Sequence, residues 1–329
     1  MKSNPPNKQW EIMARRIFKI NYFFRFPDYC NRMIPGGEEH HLIMSSYSKG
    51  YQRDLLGIYN KTKSHYSFTK DENIRGNDFL KKIGLKSNDK FICLIVRDAA
   101  YKKKFQPYLQ DSKLSHRNSD IENYKLTAIN LAKKGYWVFR MGKYVEKQFN
   151  NLHKMIYDYA KSQYRSDFLD IWLTANCHFC LSTSTGLDDV AKTFRLPLIH
   201  TDVIPIGNIM SGKKDLIVLP KYIKDKKNQK KLSLKEQIEL NLMRFISDTE
   251  LDQLNLEVLN NTPEEIEDIT MEMVSRLNNT WIEPKNNQYL QNEFWKIMNE
   301  WKDFKKWHGN IHPRVSEAFL RKNSKWFLK

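Results

Sequence analysis

The chain has 329 residues, of which 40% are hydrophobic and 13% aromatic, so it can build a substantial core in one large domain or two smaller ones. Its formal net charge of +17 favours an anionic partner such as nucleic acid, a membrane surface or a phosphorylated substrate. The alternative is that lysine, heavily used throughout the chain, is simply solvated. The sequence lacks the run of about 18 apolar residues that a membrane-spanning helix needs, so we expect none.

The first part of the chain, residues 1–85, has little regular strand pattern. Thr69 and Glu72 have the spacing of a capping box and Gly84 suits the end of a helix, which predicts a helix over 71–83. Residues 10–29 are basic and aromatic. They fit a helix that packs on the domain, or one that lies on an anionic lipid surface.

From residue 90 onwards, apolar runs alternate with helical patterns. Strands are predicted at 91–96, 136–141, 155–157, 178–181, 197–200 and 216–219. Helices are predicted between them at 120–134, 167–175 and 187–194. This order predicts an α/β fold with a parallel sheet and helices on both faces. After a lysine-rich connection over 221–231, further helices are expected at 234–245, 262–277, 288–301 and 313–322.

The cysteines indicate a reducing compartment rather than a metal site. Cys177 and Cys180 form a Cys-x-x-Cys pair, but Cys30 and Cys93 are isolated, so a four-ligand zinc site has no second pair. Because the pair lies at an apolar strand, we expect buried thiols. No signal peptide is visible, so we expect a cytoplasmic protein. The basic segment at 10–29 is also compatible with a peripheral position at the inner face of the membrane.

Five small residues separate the strand at 178–181 from the next helix: Ser182, Thr183, Ser184, Thr185 and Gly186. Such a turn can present hydroxyl and backbone N–H groups to a phosphate beside the positive end of a helix. We therefore predict a phosphate-binding loop here, with Asp188 and Asp189 near a sugar or ribose. The alternative is an ordinary polar turn that caps the helix.

Charged residues follow two of the predicted strands. Arg97 and Asp98 come directly after the first strand, and Arg140 ends the second. In an open α/β sheet these strand ends border the crevice in which ligands bind. We predict that Arg97 and Arg140 bind phosphate and that Asp98 binds the sugar or ribose. The alternative for Arg97 and Asp98 is an Arg–Asp pair that only closes the strand end, and the alternative for Arg140 is a structural role.

The loop of about twenty residues after the first strand is long enough to suggest function. At its end, Arg117 is a candidate phosphate ligand, Asn118 a ribose ligand and His116 a general base. His41 and Asp54, in the first part of the chain, are two further candidate bases for a hydroxyl acceptor. No spacing of ligand residues supports a metal, and we expect neither a metal nor a cofactor.

Several of these segments resemble motifs of a family of bacterial glycosyltransferases that occurs among surface-polysaccharide genes. They are 94–101, 115–124, 135–142, 158–162 with 166–170, the Ser-Thr-Gly stretch that ends at Pro205, and 261–266. The resemblance extends over residues 30–325. It implies a GT-B-like architecture, the class of glycosyltransferases with two Rossmann-type domains.

The resemblance implies that the chain is organised in three parts. We expect a partial acceptor-side region at 1–85, a nucleotide-sugar domain at 86–285, and C-terminal helices at 286–329 that pack back on the body. Longer family members have more sequence before the matching region, so we expect the first part to be short or incomplete. The implied activity is metal-independent transfer of a sugar from a nucleotide-sugar donor to a glycan or lipid-linked acceptor.

Two other functions fit the same residues. A nucleotide-sugar epimerase of the same fold would act without an acceptor. A non-enzymatic protein could bind anions or nucleic acid through the charge of +17. The basic residues are dispersed and no RNA- or DNA-binding motif is present, so nucleic acid is not the partner that we expect.

Overall fold

The centre of the protein is a parallel sheet. The computed structural model describes residues 5–19, 21–37, 54–55, 57–105, 114–149, 152–244 and 246–329. The strands of the sheet are β1 (Lys90–Ile95), β2 (Tyr136–Arg140), β3 (Ile156–Tyr157), β4 (Cys180–Ser182), β5 (Leu198–Val203), β6 (Leu216–Pro220) and β9 (Arg314–Val315). Two more strands, β7 (Tyr222–Asp225) and β8 (Leu256–Leu259), form a separate antiparallel pair.

The strand order in the large sheet is β3-β2-β1-β4-β5-β6-β9, and every neighbouring pair is parallel. Cys93 in β1 lies opposite Phe139 in β2 and Cys180 in β4. The chain first builds outward from β1 through β2 to β3 and then returns to the other side of β1. Open α/β sheets bind ligands at the carboxyl ends of the strands beside such a reversal. The predicted α/β fold with a parallel, Rossmann-like sheet is confirmed.

The α-helices of the described residues vary in length from one turn to four. They are α1 (Lys8–Ile17), α2 (Arg25–Met33), α3 (Ile58–Lys61), α4 (Lys70–Lys82), α5 (Ala100–Phe105), α6 (Lys125–Lys133), α7 (Asp167–Asn176), α8 (Asp188–Thr193), α9 (Leu234–Glu239), α10 (Asp248–Gln253), α11 (Pro263–Leu277), α12 (Asn287–Met298), α13 (Phe304–Trp307) and α14 (Glu317–Phe327). None of them combines the length and the apolar character that crossing a bilayer requires.

The strands are buried on both faces, which explains their continuous apolar runs. Ile92 and Val138 are fully buried, as is Leu198. The helices pack in two groups, one of α6, α11, α12 and α14 and the other of α1, α4, α7 and α8. Side chains from the C-terminal part, among them Phe294 and Phe319, belong to the same hydrophobic core as the sheet.

The division of the chain into the three parts 1–85, 86–285 and 286–329 stays a prediction.

Local sequence signals are confirmed at α4. Thr69 and Glu72 form the capping box, in which each side chain accepts a hydrogen bond from the backbone of the other residue. Gly84 follows the helix with a φ of +96°, in the left-handed region that favours glycine.

The largest differences between predicted and observed helices are at 234–245 and 313–322. The helix predicted at 234–245 ends at Glu239, because Asn241 adopts a left-handed φ of +59° and turns the chain away. The helix predicted at 313–322 is wrong at its start. Arg314–Val315 instead form β9, which pairs with β6, and the helix runs from Glu317 to Phe327.

A buried carboxylate fixes α1 to α4. Glu72 accepts hydrogen bonds from Arg16 at 2.8 and 2.6 Å, from the Gln9 amide at 2.6 Å and from the Thr69 N–H at 2.8 Å. The hydrogen bonds from Arg16 contribute most to lowering the pKa of Glu72, which falls from 4.5 to about 2. The ionised form of Glu72 is therefore the one that the folded protein stabilises.

We expect Glu72→Gln to lower the free energy of unfolding by about 1–3 kcal/mol, because Arg16 loses a charged acceptor. The Glu72 contribution is complete above pH 4.5, the usual pKa, and is lost as the pH falls towards 2, so the variant should also lose less stability in acid. Urea denaturation at several pH values measures both effects. The control is Glu11→Gln, which removes only the exposed i,i+4 pair with Arg15 and should cost under about 0.5 kcal/mol. Equal losses in the two variants would contradict this account.

Candidate functional site

Three cationic side chains lie together at the carboxyl edge of the sheet. Arg97 follows β1, Arg117 lies in the loop before α6, and Lys221 follows β6. Nζ of Lys221 donates to the carbonyl oxygens on either side of Arg117, those of His116 and Asn118, and Nε of Arg97 donates to Oδ1 of Asn118, so the three cations are neighbours. We call Arg97, Arg117 and Lys221 the cation cluster.

Lys221 is the most buried member of the cluster, with an exposed fraction of 4%. Its Nζ donates hydrogen bonds of 2.7 Å to the carbonyl oxygens of His116 and Asn118 and to Oδ1 of Asn260. Burial, with smaller contributions from the two arginines and against the opposing effect of Asp202, lowers the pKa of Lys221 to about 8. The ammonium group therefore ties the loop around residue 117 to the end of β6.

Arg117 has a different environment from Lys221. Its side chain is half-buried, and this burial lowers the pKa of its guanidinium. Within the described part of the chain, no hydrogen-bond or ion-pair partner of this guanidinium is found. A desolvated cation without an acceptor is energetically unfavourable, and a bound anion would relieve that cost.

Arg97 connects two of the predicted site segments. Its backbone N–H donates to Oγ1 of Thr183 at 2.9 Å, which joins the end of β1 to the loop after β4. Its Nε donates to Oδ1 of Asn118 at 3.4 Å, and its carbonyl oxygen accepts from the N–H of Ser119 at 2.9 Å. The structure thus brings Arg97, Arg117 and Asn118 together, as the sequence predicts for residues at a strand end.

His116 forms a pair with Asp248, the first residue of α10. Its Nδ1 contacts Oδ1 of Asp248, and the same carboxylate accepts from the N–H groups of Ser115 at 2.7 Å and His116 at 3.2 Å. Burial lowers the pKa of His116, although Asp248 acts in the opposite direction, so the imidazole is neutral at neutral pH. With the proton assigned to Nδ1 by this contact, Nε2 carries a free lone pair. A neutral imidazole with a lone pair on Nε2 is what a general base requires, and the assignment of His116 to this role stays a prediction.

The ends of β5 and β6 are held by Asn261. Its side chain accepts from the N–H of Asp202 at 2.7 Å and donates to the carbonyl oxygen of Pro220 at 2.8 Å, and its own N–H donates to Asp202 at 2.7 Å. Tyr124 adds a hydrogen bond of 3.1 Å to the Asp202 carboxylate. Asn261 is completely buried. The segment 261–266 therefore fixes the backbone immediately before Lys221.

Several polar groups of the predicted loop at 182–186 form hydrogen bonds with other groups of the protein. Oδ2 of Asp188 accepts from the Ser182 hydroxyl at 2.5 Å and the Thr185 N–H at 2.9 Å, and it lies 3.2 Å from Nε2 of His200. Burial raises the pKa of Asp188, but these neighbours outweigh it and hold the pKa below its usual value. A buried negative charge at the start of α8 disfavours a phosphate there.

The assignment of this loop to phosphate stays a prediction, as does that of Asp188 to the sugar. The Thr183 hydroxyl accepts a hydrogen bond from the Arg97 N–H. Ser184 adopts a left-handed φ of +56°. Gly186 is the exposed residue of the loop. Asp189 is half exposed and pairs with Lys192 at 2.5 Å.

Arg140 and Asp98 close strand ends. Arg140 is 1% exposed, donates to Asp158 at 3.3 Å and to the carbonyl oxygen of Lys147 at 3.2 Å, and lies 3.9 Å from Asp98. Asp98 accepts from the N–H groups of Ala100 at 3.0 Å and Glu146 at 2.8 Å. This geometry supports a structural function for Arg140 and Asp98 rather than direct ligand contact.

The structure does not bring Asp54 to the cation cluster. Its carboxylate caps α3 by accepting from the N–H groups of Ile58 and Tyr59, both at 2.6 Å. It lies beside Gly212, in the segment that leads into β6, and therefore at the amino edge of the sheet. His41 lies outside the described residues.

Sequence reasoning missed two residues of this site. Lys221 follows an apolar strand just as Arg97 does, so the same rule could have found it, but we assigned it to the lysine-rich connection. Asp248 is more than a hundred residues from His116, and no local pattern indicates their contact. No group of three potential metal ligands occurs among the residues that the structure describes.

Comparison with known proteins adds no assignment. No protein family, no curated protein and no solved structure matches the chain.

We expect Asn261→Ala to lower the free energy of unfolding by about 2–4 kcal/mol, because it leaves the buried N–H of Asp202 and carbonyl oxygen of Pro220 without partners. Urea denaturation followed by circular dichroism measures this loss. Asn292→Ala, at an exposed position of α12, is the matched control and should change stability by less than about 0.5 kcal/mol. A loss for Asn261→Ala no larger than for the control would refute the role of Asn261.

Proposed function

We propose that the protein is a glycosyltransferase that moves a sugar from a nucleotide-sugar donor to a hydroxyl acceptor in surface-polysaccharide or glycoconjugate synthesis. The observation that carries the proposal is the cation cluster at the carboxyl edge of a Rossmann-like sheet. A donor diphosphate is an anion that matches such a cluster in charge and place. The motif resemblance supports sugar transfer as the reaction, with a glycan or a lipid-linked glycan as the acceptor.

The cluster would act on the leaving group. When the bond between the anomeric carbon and the phosphate oxygen breaks, its electron pair goes to the nucleoside diphosphate. Cations fixed in place before the reaction stabilise the charge that develops there. Arg117, which has no internal acceptor among the described residues, is our choice for direct hydrogen bonds to the diphosphate. Lys221 contributes charge and holds the loop, because its three hydrogen bonds are directed to protein oxygens.

The base would come from the His116–Asp248 pair rather than from Asp54 or His41. Nε2 of His116 would take the proton of the acceptor hydroxyl, and Asp248 would stabilise the imidazolium that forms. Because Nε2 is buried, this step requires the loop around His116 to shift when the acceptor binds. Asn118, next to Arg97, is the residue that we assign to the donor ribose or sugar.

A binding experiment tests the donor site. We titrate UDP-, GDP-, CMP- and dTDP-sugars into the protein by calorimetry and expect one nucleotide class to bind. We expect Arg117→Gln to weaken that binding by about 10- to 100-fold, because a hydrogen bond to a charged group is lost. Arg321→Gln, at a 58% exposed side chain of α14, should leave the affinity unchanged.

Two results would reject the proposal. The first is tighter binding of duplex DNA than of any nucleotide sugar, which would favour the anion-binding alternative. The second is conversion of the donor sugar without any acceptor, which would favour the epimerase. Release of nucleoside diphosphate that depends on an added glycan acceptor is the outcome that we expect.

The charge of Lys221 gives the donor site a pH dependence. In the free protein its ammonium group loses a proton near pH 8, and a bound diphosphate raises its pKa. The affinity should therefore be constant below about pH 8 and fall above it, by at most tenfold per pH unit. Calorimetry between pH 7 and pH 9 measures this change. Lys221→Met should bind more weakly and show no such slope. A wild-type affinity that is flat over this range would contradict the role given to Lys221.

A further inference from the structure

Residues 17–34 carry an unusual number of exposed apolar side chains. We call the following nine the aromatic surface: Ile17, Phe18, Tyr22, Phe23, Phe24, Phe26, Tyr29, Met33 and Ile34. Their exposed fractions lie between 39% and 69%. The 3₁₀ helix at Tyr22–Phe24 and the helix α2 bury no residue at all. Such a concentration of exposed aromatic rings marks an interaction surface.

The preceding helix is part of the protein body. Met13 of α1 is 1% exposed and packs with Ile171, Ala175 and Val190. Trp10 stacks on Tyr66 with ring centroids 4.5 Å apart. Of the two interpretations of the segment 10–29, packing on the domain therefore holds for α1, while the aromatic surface that follows does not join the core.

Cations outnumber carboxylates in the segment that carries the aromatic surface. Residues 15–34 contain the cations Arg15, Arg16, Lys19, Arg25 and Arg32, against the single carboxylate of Asp28. Three of these cations form ion pairs, Arg15 with Glu11 at 2.7 Å, Arg16 with Glu72 at 2.6 Å and Arg32 with Asp28 at 2.9 Å. Arg25 lies 5.1 Å from the centre of the Tyr22 ring. Lys19 is exposed. Aromatic rings that alternate with cations on a short amphipathic segment are typical of an interface with anionic lipid.

We propose that the aromatic surface binds the face of an anionic lipid bilayer, with its rings at the depth of the headgroups and its cations against the lipid charges. This inference does not depend on the proposed glycosyl transfer. A second copy of the chain would be a poorer occupant, because it would bring two basic surfaces of a protein with net charge +17 together. The bilayer supplies both the apolar layer and the opposite charge.

The experiment compares two kinds of vesicle with the full chain. One kind contains equal parts of phosphatidylglycerol and phosphatidylcholine, and the other contains phosphatidylcholine alone. In sedimentation assays we expect binding to the anionic vesicles to be at least about tenfold tighter and to weaken as salt is raised. The variant Phe23→Ser/Phe26→Ser/Tyr29→Ser should lose at least about tenfold in affinity for the anionic vesicles, since three rings leave the interface.

The matched control is Ile282→Ser/Tyr289→Ser. These side chains are 87% and 65% exposed but lie outside the aromatic surface, so their loss should leave vesicle binding unchanged. Both variants replace exposed side chains, and equal thermal midpoints would show that they remain folded. A second measurement uses Phe23→Trp, whose fluorescence should shift to the blue with anionic vesicles and be quenched by brominated acyl chains.

Three outcomes would overturn the proposal. The first is equal partition into neutral and anionic vesicles, and the second is undiminished binding of the triple variant. The third is a dimer, detected by light scattering, that the triple variant dissociates, because the aromatic surface would then be occupied by a second copy.

Discussion

The buried ammonium group of Lys221 is the constraint on which the carboxyl edge of the sheet depends. An ammonium ion is costly to remove from water unless its protons meet acceptors, and here they meet two backbone carbonyls and an amide oxygen. Those contacts determine the path of the loop that carries His116 and Arg117. Asp248 provides a second attachment of the same loop. The cation cluster and the His–Asp pair are therefore positioned by one set of interactions.

The strands β1 to β6 could be predicted because a parallel strand buried on both faces is a continuous apolar run. The antiparallel pair of β7 and β8 was missed, and β7 lies in the stretch that we assigned to the lysine-rich connection. The prediction of 216–219 as a strand agrees with β6 to within one residue. The strand β9 could not be predicted, since two residues carry no periodicity and its pairing with β6 depends on where the preceding helices place it. The end of α9 was missed for a related reason, because the apolar pattern continues through the left-handed residue Asn241.

The candidate site was predictable in part. Arg97 and Asn118 lie together because a strand end and the following loop must meet at the same edge of the sheet. Sequence alone cannot show that Asp188 and Arg140 point inward, since their partners His200 and Asp158 are brought to them by the tertiary fold. Polar residues near a ligand crevice satisfy either the ligand or the backbone, and only their contacts distinguish the two.

The most direct test of the central claim is a crystal structure of the protein with a nucleoside diphosphate. We expect the diphosphate at the carboxyl edge of the sheet, with its oxygens about 3 Å from the guanidinium nitrogens of Arg117 and beside Arg97 and Lys221. A diphosphate bound elsewhere, for example at the amino edge beside Asp54, would contradict the account. So would one that contacts the loop at 182–186 without touching Arg117.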